Sequence, residues 1–374
     1  MIRRLVAEPS VSSIDPHLDQ SNLGVVHLLA EWLEALGFRV DLQQVKPNKA
    51  NLIATLGPME KRRGLVLSGH TDTVPYDEGL WTFDPFTVSE REGRLYGLGI
   101  CDMKSFFALA LAAIQQVELK RLSAPLVLLA TCDEESSMDG ARLLAERGLP
   151  AGQFAVIGEP TALKPVRMHK GVLMEAVEVK GRSGHASNPA LGANALEGMA
   201  EVLQALLDWR AELEKLRHPG FEVPFPTLNL GAIAGGDSPN RICGHCRLLL
   251  DFRLLPGMAP EAVRQELKRR VEAALSALPR LTAKVEPLFA GVPAFETKAS
   301  AFLVRLCEEL SGSPATAVAF GTEAPYLASL GLETVILGAG SIAQAHQADE
   351  YLPLDHLAPA ISILRRLIER LCLS

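Results

Sequence analysis

The chain has 374 residues, 48% of them hydrophobic and 22% charged, with a net charge of −7. That length predicts two domains with a large buried interior, and the balance excludes extensive disorder. The mild negative charge gives no basic footprint for nucleic acid, and no apolar run reaches the ~20 residues that span a bilayer.

At the amino terminus Arg3 and Arg4 meet Glu8 and Pro9 too soon for a secretory apolar region, so the expected location is the cytoplasm. Val25 to Leu36 carries apolar residues at helical spacing and stops at Gly37. Phe38 to Val45 and Asn51 to Leu56 then read as strands. The run Gly64-Leu65-Val66-Leu67-Ser68-Gly69-His70 is a buried strand that ends on a histidine, with Asp72 two residues later. Phe106 to Val117 predicts an apolar helix, Ala124 to Thr131 a strand and Phe154 to Ile157 a short strand. This β-α-β order predicts an α/β fold: a mostly parallel sheet with helices on both faces.

Near Lys170 the pattern changes. Val172 to Lys180, Thr227 to Ile233 and Cys246 to Leu254 read as strands, and Asn194 to Leu216 and Pro260 to Leu278 as helices, the content of a small α+β sandwich. The helix Ala299 to Ser311, the strand Thr334 to Leu337 and the helix Ala358 to Cys372 resume the first pattern. The expectation is a discontinuous catalytic domain, 1–170 and 284–374, with a second domain inserted at 171–283. Inside the insert, Cys243-Gly244-His245-Cys246 has the spacing of a redox dithiol. Such pairs belong at a helix amino terminus, and here a strand follows, so incidental cysteines are expected.

Chemistry-bearing residues recur where strands end. Asp102 follows Gly97-Leu98-Gly99, Glu134 and Glu135 follow the strand to Thr131, Glu159 follows Ile157-Gly158, and His346 follows Leu337-Gly338-Ala339-Gly340. Singly, each reads as a solvated turn residue. In a doubly wound sheet, however, the carboxyl ends of the strands face one crevice, so these side chains converge with His70 and Asp72. Converging carboxylates repel one another unless neutralised. Five ionised acids carry a charge that two divalent cations nearly cancel, predicting a two-metal site with ions roughly 3.5–4 Å apart. Asp72 is placed to orient the His70 ring. If the segment is extended, Glu134 and Glu135 point apart, one as ligand and one as free general base.

The segments Gly69-His70-Thr71-Asp72-Thr73-Val74-Pro75, Gly97 to Lys104, Asp133-Glu134-Glu135 and Ile157-Gly158-Glu159-Pro160-Thr161 resemble the dinuclear zinc peptidases and deacylases of the aminoacylase/carboxypeptidase G2 type. The resemblance covers essentially the whole chain. Met168-His169-Lys170-Gly171, Pro226 to Gly231, Ser238 to Cys243, Thr322-Glu323-Ala324-Pro325 and Gly340 to Gln347 are similar to the branch that releases acetate from N2-acetyl-L-ornithine, a step of arginine synthesis. It implies two zinc ions, or cobalt. His70 and Glu159 would hold one, Glu135 and His346 the other, and Asp102 both, with Asp72 orienting His70 and Glu134 as the base.

It further implies a homodimer formed through the insert, which also closes over the site. His185 would reach a partner's active site to stabilise the oxyanion, and Asn240 and Arg253 would hold the substrate carboxylate. For Glu323 we expect contact with the cationic end of ornithine. Related acyl amino acid deacylases, acting on acetylcitrulline or succinyl-diaminopimelate, and dipeptidases share this metal shell. A non-catalytic binding protein would lack a ligand or the free carboxylate, and this chain lacks neither. Two departures stand out: a short first helix, Met1 to Ala7, expected to be loosely held, and Ser105 where that family more often has glycine, expected to affect the backbone after Asp102.

Overall fold

The computed structural model describes residues 1–59, 63–148 and 152–373. The chain divides into two compact units, one made of residues 1–168, 296–316 and 322–374, the other of 169–295 and 317–321.

The larger unit is built on a sheet whose strands lie in the order Arg39–Lys46, Lys49–Leu56, Leu126–Thr131, Leu65–His70, Phe154–Ile157, Glu333–Ile336, Val166–His169. The four strands from Leu126–Thr131 to Glu333–Ile336 run parallel, while the flanking pairings are antiparallel. The central strands are wholly buried, as sheets covered on both faces require. Leu65, Leu67, Leu126, Leu128 and Val156 pack into one core with the helices Leu23–Ala35, Lys104–Ile114, Phe302–Ser311 and Leu357–Cys372. Strand alternation turns Ser68 and His70 to the other face. There the helices Asp139–Arg147 and Ala324–Ser329 pack on each other. Asp139–Arg147 escaped the sequence reading because it is short and carries as many charged as apolar residues.

The first helix, Ile2–Val6, is short as expected but not loose, for Leu5 and Val6 are fully buried in the core. Beyond it Ser10 and Ser12 pair with the segment after His70: Thr73 N–H donates to Ser10 O, and Ser12 N–H to Thr73 O.

The second unit is a four-stranded antiparallel sheet in the order Thr227–Gly235, His245–Leu254, Gly171–Lys180, Thr282–Pro287. The helices Ala195–Leu213 and Pro260–Leu275 cover one face, with Met199, Val202, Leu206, Leu267 and Val271 packed on Leu248, Leu250 and Phe252. This unit runs past the expected end at Ala283 to Phe295, because Thr282–Pro287 adds the fourth strand. That edge strand is polar and largely exposed, so hydrophobic patterning could not reveal it.

Candidate active site

His70 closes its strand with 1% of its surface exposed. Its Nδ1 lies 3.0 Å from the main-chain oxygen of Asp72, and a carbonyl there requires that Nδ1 carry the proton. Nε2 is thereby turned to Asp102 Oδ1 at 3.1 Å and Glu159 Oε1 at 4.0 Å. Asp72 orients the ring, but through its backbone. Its Oδ1 stands 3.7 Å from Nδ1 without a hydrogen-bond partner, while Oδ2 accepts from Glu135 N–H at 3.0 Å. The carboxylate expected to aim His70 instead ties the His70 loop to the glutamate loop.

Asp102 stands between two imidazoles, with Oδ2 3.6 Å from His346 Nε2. Its loop is held by a residue the sequence reading missed. Glu350 accepts from the main-chain N–H groups of Gly99 at 2.8 Å, Cys101 at 2.6 Å and Asp102 at 2.9 Å. No local signal marks Glu350, which acts on a loop some 250 residues away. The Asp102–Met103 peptide is cis, and Ser105 is accommodated with its side chain buried.

Glu134 and Glu135 lie in a turn, not the extended segment assumed above, because Asp133 adopts φ 59° and its carbonyl accepts from Ser137 and Met138 N–H. The turn still separates them. Glu135 Oε1 meets His346 Nε2 at 3.0 Å, whereas Glu134 falls with His70 and Glu159. Two groups of donor atoms result, His70, Asp102 and Glu135 in one, His70, Glu134 and Glu159 in the other, each within 4.8 Å of one another. Glu159 is 4% exposed, and His346, at φ 60°, is half-exposed.

Burial, followed by the neighbouring carboxylates, raises Glu134 and Glu159 well above the usual carboxyl range. Burial works to lower the His70 pKa, but Asp102, Glu159, Asp72 and Glu134 raise it well above the ordinary imidazole value. Nitrogen and oxygen donors crowded in this way fit divalent cations of the zinc type.

Glu323 belongs to the same cluster. It is 1% exposed, burial pushes it up to about 7, and neither carboxylate oxygen finds a hydrogen-bond partner. It is therefore a buried acid and not the surface residue that a helix-start position suggests. Its charge also bears on Glu134 and Glu159.

His185, Asn240 and Arg253 belong to the second unit. His185 bridges to Arg241, and Ala186 N–H donates to Asn240 O at 3.0 Å, so the first two share one end of the sheet. Both are exposed. Arg253 lies near the far end of His245–Leu254, roughly 25 Å away at ~3.3 Å per residue. It is bonded to Asp251 at 3.0 Å and close enough to Lys170 to depress that ammonium, after burial. Asn240 and Arg253 of one chain thus cannot hold the same carboxylate, a correction to the shared role expected for them.

The dithiol alternative does not find its geometry. Cys246 is fully buried within a strand, and burial raises its thiol pKa. Among the described residues no helix is long and apolar enough to cross a membrane.

Two imidazoles and a carboxylate cluster, brought together by strands of a parallel sheet and by neighbouring loops, define a metal-dependent hydrolase. The sequence profile of peptidase family M20/M25/M40 matches residues 66–370, and the chain belongs to that family. An acetylornithine deacetylase of Edwardsiella ictaluri is 47% identical over 375 residues, covering 100% of this chain and 97% of the relative. One from Aliivibrio salmonicida is 46% identical over 371 residues, covering 99% and 97%. Among solved structures, aminopeptidase PepT from Bacillus cereus superposes with a TM-score of 0.77 at 21% identity, covering 99% of this chain and 96% of that one. That last likeness is one of fold.

Proposed function

We propose that this chain hydrolyses N2-acetyl-L-ornithine to L-ornithine and acetate, supplying ornithine for arginine synthesis in the cytoplasm. The observation that carries the chemistry is the split of adjacent acids, Glu135 on His346 and Glu134 beside His70 and Glu159. The full-length identity to acetylornithine deacetylases carries the substrate.

His70 and Glu159 would hold one divalent cation, Glu135 and His346 a second, and Asp102 both. Zinc suits these mixed donors, and cobalt would take the same ligands. When bound, the cations polarise an amide carbonyl and acidify water. Glu134 takes a proton from the attacking water and returns it to the leaving amine. The unpartnered oxygens of Glu323 would receive the substrate ammonium, which an apolar or neutral tail could not replace.

Two copies of the chain complete the site in this reading. Because Asn240 and Arg253 lie at opposite ends of one sheet, Arg253 acts within its own chain while His185 and Asn240 serve the partner. His185 stabilises the oxyanion there. The second unit is the dimerisation and closing domain, and the edge strand Thr227–Gly235 is its exposed rim.

An acetate-release assay on acetylornithine, acetylcitrulline and acetylmethionine tests the reading. Acetylornithine should be fastest, chelation should stop release and zinc or cobalt should restore it. Faster release from acetylcitrulline, or turnover confined to dipeptides, would replace the substrate while leaving the hydrolase intact.

A further inference from the structure

Lys49 opens the strand Lys49–Leu56, and its side chain is 2% exposed. Lysines are almost never buried unless paired. Here Nζ lies 2.9 Å from Asp133 Oδ1 and 2.8 Å from Asp19 Oδ1. The Asp133 carboxylate is equally buried and also accepts from Ser12 Oγ at 3.1 Å. None of these groups takes part in the hydrolysis described above.

Their placement gives them a task. Asp133 immediately precedes the two functional glutamates and holds a left-handed conformation at φ 59°, one that residues other than glycine adopt at a cost. Its carbonyl accepts from Ser137 and Met138 N–H, closing the turn from beyond Glu135. Its carboxylate anchors that turn to Lys49, on a strand in the middle of the antiparallel flank of the sheet. Asn51, two residues along and so on the same face, makes a parallel hold: Oδ1 accepts from Cys132 N–H at 3.2 Å and Nδ2 donates to Gly140 O at 3.0 Å. Lys46 also reaches Asp133, at 2.9 Å to Oδ2, but it is 46% exposed and water can take its place.

We infer that Lys49 is a positioning residue for Glu134 and Glu135, acting through the Asp133 carboxylate to fix the turn that aims the base and a metal ligand. The kinetic part of this rests on the deacetylase reading; the metal-binding part does not. Removing the ammonium leaves the buried Asp133 Oδ1 with the Ser12 hydroxyl but no charge partner, so the turn loses its main anchor without losing any group that touches substrate.

The test compares Lys49→Met, Lys49→Arg and Lys46→Met by zinc titration calorimetry on the metal-free protein and by steady-state kinetics. Lys49→Met should weaken one zinc-binding event and lower kcat, each by about 10- to 100-fold, as loss of an outer support does. KM should stay close to that of the wild type. Lys49→Arg should recover most of the loss, and Lys46→Met should cost less than about threefold, as exposed pairs do. Combined with Asp133→Asn, Lys49→Met should add nothing further, because both act on one contact. A folded Lys49→Met protein with wild-type zinc affinity and kcat overturns the inference, as do losses that add to those of Asp133→Asn. If Lys49→Met does not fold, Asp133→Asn decides alone: wild-type zinc affinity in that folded variant overturns the inference. A wild-type chain that binds zinc but releases no acetate overturns the deacetylase reading, and the calorimetry still decides the role of Lys49.

Discussion

His70 and His169 are both buried to within 1% of full exclusion, yet their imidazoles are driven in opposite directions. Among the described residues His169 has a bond to Lys170 O at 2.8 Å and the ring of Phe295 at 5.5 Å beside it, and burial lowers its pKa to about 4. Around His70 four carboxylates overcome the same burial and raise it well above the ordinary value. Burial alone therefore makes a neutral structural histidine. Burial among acids makes a place where cations are needed, which is what separates the crevice from the rest of the interior.

The largest break in that contrast comes from Glu134→Gln, which removes one of the acids and the proton carrier together. We expect kcat to fall by about 10⁴-fold, the upper end for a general base, with zinc content unchanged by elemental analysis. Full activity in this variant would remove the base assignment. Next is Glu350→Ala, which frees the main-chain donors of Gly99, Cys101 and Asp102 without altering any ligand side chain. Zinc affinity should drop by about 100-fold, measured calorimetrically, because the loop that presents Asp102 loses its anchor. Unchanged affinity would mean the loop holds its shape without Glu350.

Glu323→Gln gives a narrower effect. The ratio of kcat/KM for acetylornithine over acetylmethionine should fall by about tenfold, the value of one hydrogen bond to a charged group. An unchanged ratio would move the substrate ammonium elsewhere.

The smallest effect sharpens the other half of the comparison. The folded pKa of His169 lies below the unfolded value, so between about 6.5 and 4 the unfolded chain binds the extra proton, and stability is lost as pH falls through that window. His169→Phe removes this contribution. By about pH 6 the wild type should have lost ~0.7 kcal/mol more than the variant relative to neutral conditions, read from urea unfolding. Parallel pH profiles would show that His169 does not titrate in this way.

Much of the fold was legible in the chain. Phe154–Ile157 is a strand with the bounds the sequence suggested, and the long helices Ala195–Leu213 and Leu357–Cys372 differ from expectation only at their ends. These are strongly apolar or strongly periodic, and burial demands that pattern. What patterning missed was short or polar: the helices Asp139–Arg147 and Ala324–Ser329 and the strands Val166–His169 and Thr282–Pro287, the last exposed at a sheet edge.

The sequence by itself determined that His70, Glu134, Glu135 and Glu159 stand at or just past the ends of central strands, because strand length, flanking glycines and polarity are local properties. Only the tertiary structure decided how they are held. The backbone of Asp72, not its carboxylate, orients His70; Glu350 and Lys49 brace loops distant in sequence; and a sheet keeps Asn240 from Arg253. These are long-range contacts between polar groups, and a buried polar group takes whatever partner the fold brings within reach.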